Sequence, residues 1–198
     1  MSNFVVTDRV EVELAAIVKA LAVDSVFVLV DENTAECCLP ILRHETRDTR
    51  HENGDEGCVM EDAKVVTIKA GDDVKTLDTA VAIWDELVDN GATRSSLLVN
   101  LGGGMVTDLG GFVAATFKRG MKFVNVPTTL LGVVDAATGG KTGVNFRGLK
   151  NEIGVFAKAE RVLVDTRFFE SLDFKNRLSG YAEMLKHALI ADPILLEQ

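Results

Sequence analysis

Residues suited to binding a phosphorylated compound lie close together in the middle of this sequence. The segment LVNLGGGMVTDLGG (Leu98–Gly111) is an apolar run that leads directly into three glycines. Glycines allow a ligand to approach the backbone, and a helix that follows them offers unpaired N–H groups at its positive end. Thr107 replaces the third glycine of the dinucleotide motif, so the segment fits either a nucleotide site or a tight turn. Asp108 could begin the helix or bind a ligand hydroxyl.

A second polar segment follows further along the chain. The stretch Gly140–Thr142 (GKT) looks like part of a P-loop, but Asp135 stands where that motif requires glycine, which argues against a Walker-type site. Upstream, Thr128 and Thr129 come directly after an apolar run, where α/β folds bind ligands. The same hydroxyls could instead cap a helix over residues 130–137, and the sequence leaves both interpretations open.

Three ionisable residues share one face of a predicted C-terminal helix. Glu183, Lys186 and His187 stand at positions i, i+3 and i+4. Their spacing fits a solvated face with a Glu–Lys pair, or a carboxylate metal ligand beside a lysine that binds an anionic substrate. The opposite, apolar face comprises Leu178, Ala182, Leu185 and Leu189.

The elements that would position these segments alternate between strands and helices. This alternation predicts an α/β fold with a Rossmann-like, mostly parallel sheet and helices on both faces. The predicted strands are 25–31, 64–70, 96–101, 122–126 and 161–165, and the predicted helices are 32–42, 76–90 and 175–191, with a short turn or helix at 168–172. In the second helix, Leu77, Val81, Trp84 and Val88 recur at helical spacing, and Gly91 ends it.

The character of the sequence changes near residue 170. Residues 1–170 are predicted to form the α/β domain, and residues 171–198 to begin a second, mostly helical domain. Within the first domain, residues 43–62 combine many charges with no apolar period, which predicts a surface insertion.

Charge and hydropathy narrow the classes of partner. The net charge of −9 argues against nucleic acid or an anionic membrane. No apolar run is long enough to cross a bilayer and the N-terminus lacks the features of a signal peptide, so the expected location is the cytoplasm. Between residues 109 and 151, however, a glycine-rich stretch holds six cations and a single acid, Asp135, which predicts a bound phosphate. The cations are Lys118, Arg119, Lys122, Lys141, Arg147 and Lys150.

The three cysteines predict neither a disulfide framework nor a zinc site. Their number is odd, and Cys37 and Cys38 are adjacent. The spacing of Cys37 or Cys58 relative to His44 and His51 fits no zinc pattern, so reduced thiols are expected.

In order and spacing, these motifs resemble the 3-dehydroquinate synthase family of sugar phosphate cyclases. The matching stretches are NLGGGMVTDLGGFVAATFKRG, FVNVPTTLLGVVDAATGGKTGVN, KNEIGVF and LSGYAEMLKHALI, and they cover most of residues 98–191. Four ordered stretches are far more specific than any one of them. The first half of the chain resembles the family more loosely, through Asp31–Asn33 and Gly71–Lys75.

The resemblance implies a carbon–oxygen lyase of the shikimate pathway that uses NAD and a divalent metal, zinc or cobalt. Its substrate would be a sugar acid phosphate, 3-deoxy-D-arabino-heptulosonate 7-phosphate, which cyclises to 3-dehydroquinate with release of phosphate. NAD would first oxidise a ring hydroxyl, which acidifies the neighbouring C–H, and would be regenerated at each turnover. A homodimer is the assembly that the family implies.

The resemblance also implies a role for each residue that matches a family motif. The implied NAD contacts are Asp31, Asn33, Asp72, Lys75, Gly103, Gly104, Met105, Asp108, Thr128, Thr129, Lys141, Lys150, Phe168 and Ser171. The implied substrate contacts, which carry the catalysis, are Asp135, Lys141, Asn151 and Lys186, and the implied metal ligand is Glu183.

The sequence departs from the family pattern in a few places. Asp72 replaces a more usual Glu, Thr107 a common Gly and Ser171 a common Thr, and each replacement stays polar. The family takes two further metal ligands, both histidines, from a second domain that these 198 residues barely enter. On their own, these residues are therefore expected to be inactive.

Three other functions remain open at this point. They are another sugar phosphate cyclase, an NAD-dependent polyol dehydrogenase, and a catalytically silent nucleotide-binding module. The GGKTGVN and KNEIG stretches favour a cyclase over a polyol dehydrogenase.

Overall fold

Parallel strands and the helices between them account for most of the described chain. The computed structural model describes residues 3–44, 60–136 and 139–191. The strands are β1 (Phe4–Thr7), β2 (Val26–Asp31), β3 (Lys64–Ile68), β4 (Leu97–Gly102), β5 (Lys122–Pro127), β6 (Lys141–Phe146), β7 (Leu149–Phe156) and β8 (Arg161–Asp165). The helices are α1 (Val10–Leu21), α2 (Glu32–Cys37), α3 (Leu39–His44), α4 (Leu77–Asp89), α5 (Gly104–Thr116) and α6 (Phe174–Ala191). Short 3-10 turns at Asp72–Val74, Phe117–Arg119 and Thr166–Ser171 and a π-helical turn at Gly132–Ala136 complete the order.

Six of these strands form one parallel sheet in the order β1-β8-β5-β4-β2-β3. After β2 the chain adds β3 on one side, and it then crosses back to place β4 on the other side of β2. In doubly wound sheets, the crevice at such a reversal, beyond the carboxyl ends of the strands, is where ligands bind. The fold therefore places its expected ligand crevice beside the ends of β2 and β4.

Apolar side chains pack on both faces of the sheet, as a parallel sheet covered by helices requires. Along β2, Phe27 and Leu29 join the core beneath α4 and α5, while Val28 and Val30 join the core on the opposite face with α1 and α3. The predicted fold class is confirmed.

The buried face of α4 differs from the one predicted. Val81 and Val88 are about half exposed, at 47% and 58%, whereas Ala80, Ile83 and Leu87 are buried. These buried positions lie on one stripe with the half-buried Leu77 and Trp84, and Val81 and Val88 lie beside it. The prediction followed the helical spacing of the apolar residues, and the buried stripe is rotated around the helix from it. The predicted end of the helix is confirmed, because Asn90 is its C-cap and Gly91 has a φ of 75°.

Other secondary-structure elements also differ from those predicted. The single helix predicted over residues 32–42 is broken at Cys38, two residues before Pro40, whose missing N–H cannot continue the helical bonding. The antiparallel β6–β7 hairpin, β1 and α1 were not predicted. Most of the surface insertion predicted at 43–62 lies outside the described residues, as do Cys58 and His51.

The C-terminal helix α6 has nearly the predicted bounds, but the apolar face that was predicted for it is exposed. Leu178, Leu185 and Leu189 of the predicted apolar face are 52%, 38% and 71% exposed. The helix instead packs through Gly180, where an added Cβ would lie 2.5 Å from the Cβ of Leu130. In the described part of the chain, no helix is long and apolar enough to span a membrane.

Candidate cofactor-binding and active site

The carboxyl ends of β2, β4 and β5 converge on the crevice identified above. Gly102 at the end of β4 is in register with Pro127 at the end of β5, and the N–H of Thr128 donates to the carbonyl of Gly102 at 3.0 Å. This pairing brings the glycine segment and the two threonines side by side, although they are far apart in the sequence.

The start of α5 has the geometry of an anion site. Gly103 is its N-cap and carries no side chain to cap it, so the N–H groups of the first turn face the crevice. Neighbouring backbone and side chains leave little room for larger residues. A Cβ on Gly103 would lie 3.1 Å from Cγ2 of Thr129, and a Cβ on Gly132 would lie 3.3 Å from the N of Gly104. The predicted arrangement of a strand that leads through glycines into a helix is therefore present, and Met105 in the first turn packs against the core.

The two threonines after β5 have different partners. Thr129 Oγ1 accepts from the N–H of Gly132 at 3.0 Å, which is the N-cap bond predicted as an alternative. Thr128 is buried and lies beside the thiol of Cys38, which also contacts Ser171. Burial raises the pKa of that thiol to about 11, so Cys38 is a neutral packing residue at neutral pH.

Asp31 ends β2 at the edge of the crevice and caps the helix that follows. Its Oδ1 accepts from the N–H of Thr34 at 2.8 Å and the Thr34 hydroxyl accepts from the N–H of Asp31 at 2.9 Å, which together form a capping box. Asn33 is exposed in the first turn of α2. The carboxylate is thus held in place at the edge of the crevice.

A buried lysine joins three elements at the centre of the site. The Nζ of Lys75 lies 2.6 Å from Oδ2 of Asp108 and donates to Oδ1 of Asn151 at 2.5 Å. The lysine side chain is only 4% exposed and the Asp108 side chain 20%. Asn151 has a φ of +56°, a left-handed conformation that asparagine tolerates better than most residues. Lys75, Asp108 and Asn151 are hereafter called the lysine cluster.

A second ion pair flanks the lysine cluster at the surface. The Nζ of Lys150 lies 2.8 Å from Oδ2 of Asp72, with side chains 76% and 47% exposed. The hydrogen bond and charge of Lys150 lower the pKa of Asp72, and the same bond raises the pKa of Lys150. An exposed pair of this kind contributes little to stability.

Asn145 belongs to this site but was not predicted. Its Nδ2 donates to the carbonyl of Asp72 at 2.9 Å, and its Oδ1 accepts from the N–H of Asn151 at 3.0 Å. Its own N–H donates to the carbonyl of Lys75 at 2.7 Å. The sequence signal was present, because Asn145 ends the GGKTGVN stretch, but an asparagine in a strand has no distinctive spacing.

A cavity of about 470 Å³ opens beside the lysine cluster, in the size range of small-molecule sites. The exposed Lys141 at the start of β6 lines it opposite Asp108 and Asn151. Asp135 lies in the π-helical turn, and its side chain is outside the described residues. Gly139, Thr142, Gly143, Glu152, Gly154, Val155 and Phe156 complete the lining.

An ion network fixes the turn that carries Phe168 and Ser171. Arg167 contacts both carboxylate oxygens of Asp165, the shortest distance being 2.6 Å, and Oε2 of Glu11 at 3.2 Å. Both acids are buried. Phe168 is fully buried in the core, so its side chain does not line a ligand site and a contact there would use the backbone. Ser171 Oγ donates to the carbonyl of Phe168 at 3.1 Å.

On α6, Glu183 is the least exposed of the three predicted ionisable residues. Its side chain is 17% exposed, and Oε1 contacts the Nζ of Lys186 and, at 3.4 Å, the Nε2 of His187. The predicted Glu–Lys pair is therefore present, with Glu183 mostly buried and with Lys186 and His187 about half exposed. Within residues 3–44, 60–136 and 139–191, no three His, Cys, Asp or Glu side chains come together in a way that could hold a metal ion.

Comparisons with known proteins agree with this geometry. Residues 65–179 match the model of the 3-dehydroquinate synthase N-terminal family. The chain is 47% identical to a 3-dehydroquinate synthase of Parabacteroides distasonis over 90% of its own length and 47% of the relative's. It is 51% identical to that of Pyrococcus abyssi over 63% of its length and 37% of the relative's. It thus spans about half or less of the length of these relatives.

Solved structures show the same fold. A 2-epi-5-epi-valiolone synthase from Streptomyces hygroscopicus, with NAD⁺ and Zn²⁺ bound, superposes with a TM-score of 0.81 at 29% identity, over 100% of this chain and 52% of that one. A 2-deoxy-scyllo-inosose synthase superposes equally well, with a TM-score of 0.81, over 94% of this chain and 49% of that one; at 22% identity it supports the fold alone. Since the family model covers more than half of the chain and its glycine and lysine segments, this protein belongs to the 3-dehydroquinate synthase family through its N-terminal domain.

Proposed function

We propose that the protein acts as a 3-dehydroquinate synthase, a carbon–oxygen lyase that cyclises a seven-carbon sugar acid phosphate with release of phosphate. The observation that carries the proposal is the lysine cluster beside an uncapped, glycine-rich helix start, in a chain 47% identical to such a synthase. Because the chain spans about half of that relative, the complete activity is proposed for the whole protein.

The residues at the crevice fit NAD as a cofactor. Gly103 provides no side chain that caps the first turn of α5, where the N–H groups and helix dipole favour an anion such as the pyrophosphate. We assign Asp31 and Asn33 to the adenosine side, and Thr128 and Thr129 to the edge of the pyrophosphate. The valiolone synthase that superposes on this chain has NAD⁺ bound.

We assign the nicotinamide end of NAD to the lysine cluster and the residues around it. Lys141 and Asp108 line the cavity, Lys75 is paired with Asp108, and Lys150 is paired with Asp72. The turn with Phe168 and Ser171 would close the site through backbone groups and one hydroxyl. NAD, when bound, supplies a hydride acceptor for a ring hydroxyl of the substrate.

The substrate would occupy the cavity that the hairpin and Asp108 of α5 line. Lys141 is exposed there and carries a cationic ammonium suited to a carboxylate or phosphate. Asn151 offers an amide that Lys75 holds in a fixed orientation. We assign Asp135 and Lys186 to substrate binding as well, in agreement with their motif positions.

Glu183 is proposed as one ligand of a divalent cation, zinc or cobalt. It is mostly buried beside Lys186 and His187. The described residues supply one carboxylate and no further ligands, so they do not by themselves fit a complete metal centre. No step of the reaction is therefore derived through the metal. We also propose that the protein is a cytoplasmic homodimer. Its net charge of −9 argues against binding to nucleic acid.

The cofactor site can be tested with Gly104→Asp. An acid in the first turn of α5 favours the helix dipole by about 0.3–1 kcal/mol, so the folded state is expected to keep its stability. The same charge would lie against the pyrophosphate and weaken NAD binding by at least about fivefold, from about 1–4 kcal/mol of repulsion. The measurement is NAD titration by calorimetry, with thermal unfolding in parallel.

Asn176→Asp is the matched control, since it adds the same charge to the first turn of α6, where Asn176 is exposed. It should bind NAD as the unmodified chain does. Equal affinities for Gly104→Asp and the control would refute the placement of the pyrophosphate. Assays of the whole protein with the heptulosonate phosphate and with a heptulose phosphate that lacks the carboxylate would then separate this synthase from other cyclases.

A further inference from the structure

Asn145 connects the two backbone segments that carry the lysine cluster. One segment is the turn Asp72–Val74, which leads directly into Lys75, and the other is the β6–β7 hairpin, which carries Asn151. The side chain of Asn145 bonds to the carbonyl of Asp72 at one end and to the N–H of Asn151 at the other, at 2.9 and 3.0 Å. Its N–H adds a third bond, to the carbonyl of Lys75.

An irregularity in the hairpin frees Asn145 for these contacts. The register between β6 and β7 shifts between Val144 and Phe146, so Asn145 has no partner in the strand pairing. Bulges of this kind redirect a residue out of the ladder and are frequent beside active sites. Here the extra residues lie on β7, and the unpaired Asn145 of β6 donates its backbone N–H and its side-chain N–H to the turn.

The other contacts between the two segments are less suited to hold them. The Asp72–Lys150 pair is exposed, so water and salt weaken it. The Lys75–Asn151 bond uses groups that a ligand would contact in the proposed function. The bonds of Asn145 involve backbone groups that a ligand does not need to displace.

We propose that Asn145 is a positioning residue: it holds the turn against the hairpin and so fixes the Nζ of Lys75 between Asp108 and Asn151. This role rests on the proposed function, because it is expressed through the affinity of the lysine cluster for NAD. Asn145 itself does not touch the cofactor.

The test compares NAD affinity in Asn145→Ala, Lys75→Met and the double variant, by calorimetry on the 198-residue chain. Loss of two side-chain hydrogen bonds should raise the Kd of Asn145→Ala roughly tenfold. If Asn145 acts through Lys75, adding Asn145→Ala to Lys75→Met should change the Kd by less than about twofold, because coupled residues are not additive. If Asn145 contributed only to general stability, the losses of NAD affinity in the two single variants would add in the double variant.

Asn90→Ala is the matched control. It removes two side-chain hydrogen bonds, to the carbonyl and Oε2 of Glu86, at the far end of α4, roughly 20 Å along the helix axis from Lys75. Its Kd should equal that of the unmodified chain. If Asn145→Ala does not fold, Asn145→Asp keeps the shape but replaces the donor to Asp72 with a charged oxygen that repels the carbonyl, and a several-fold weaker affinity is expected.

The outcomes separate this inference from the proposed function. If the unmodified chain binds NAD and both Asn145 variants match it, the positioning role is refuted while the cofactor site stands. Additive losses in the double variant refute it as well. If the unmodified chain does not bind NAD, the cofactor site itself is refuted and the inference with it.

Discussion

Removal of Lys75 gives a direct measure of how the site is held together. In Lys75→Met, the carboxylate of Asp108 and the Oδ1 of Asn151 both lose the donor that now lies within 2.6 Å. An acceptor left unpaired in a buried place costs about 1–3 kcal/mol, and Asp108, at 20% exposure, recovers part of this from water. The Met side chain also avoids the desolvation of an ammonium that is 4% exposed. The expected net loss of stability is about 2 kcal/mol.

The double variant Lys75→Met/Asp108→Leu shows whether this reasoning is correct. In the double variant only the amide oxygen of Asn151 lacks the donor, whereas in Lys75→Met the carboxylate of Asp108 lacks it as well. The double variant should therefore lose less unfolding free energy than Lys75→Met, about 1 kcal/mol. The assay is urea unfolding of both single variants and the double variant at neutral pH. Losses that simply add would mean that the two charges do not depend on one another, and would refute the lysine cluster as a coupled unit.

Three further predictions concern the surroundings of the site. Gly110→Ala should destabilise the fold by about 2–4 kcal/mol despite the better helix propensity of alanine, because its Cβ would lie 2.0 Å from Oδ1 of the buried Asn100. Thermal unfolding measures this loss, and adding Asn100→Ala should relieve part of it. Lys150→Ala should lower stability at neutral pH. Since the pair lowers the folded pKa of Asp72, its contribution is present above about pH 4, is lost as the pH falls through the lowered pKa, and weakens in high salt. Cys38 should resist alkylation in the folded chain, because burial raises its pKa to about 11; peptide mapping that found it modified as fast as its exposed neighbour would contradict this.

The parts of the fold that were predicted correctly are those with a strong local signal. The five predicted strands are apolar runs with clear boundaries, and all of them are present within one or two residues. The Gly91 helix end and the glycine-led start of α5 follow from backbone preferences that act within a few residues. Such signals do not depend on the rest of the chain.

The predictions that failed depend on contacts between distant segments. Val81 and Val88 fit the apolar helical spacing of α4, but the stripe that faces the core is set by how α4 lies on the sheet. The apolar face of α6 was expected to be the packed one, whereas close approach at Gly180 selects the opposite face. Neither orientation is encoded in the local spacing.

The candidate site shows the same division. The resemblance named Lys75, Asp108 and Asn151 separately, and the structure joins them at one ammonium. Asn145 was missed because its role depends on a bulge and on a turn about 70 residues earlier in the sequence. For Phe168, the family position alone gave no information about which part of the residue faces a ligand, and its side chain is in the core.

The basic segment predicted to hold a phosphate is divided in space, and this changes how an anion would be bound. Lys122 begins β5 at the amino end of the sheet, and Lys118 and Arg119 lie beyond the far end of α5, roughly 20 Å from its first turn. Of the lysines that remain near the crevice, Lys75 and Lys150 are already paired with Asp108 and Asp72. The unpaired backbone N–H groups at the start of α5, together with Lys141, must therefore supply most of the attraction. A site of this kind should lose much less affinity with added salt than one built from six surface cations, because helix N–H groups bind at short range and release few counterions.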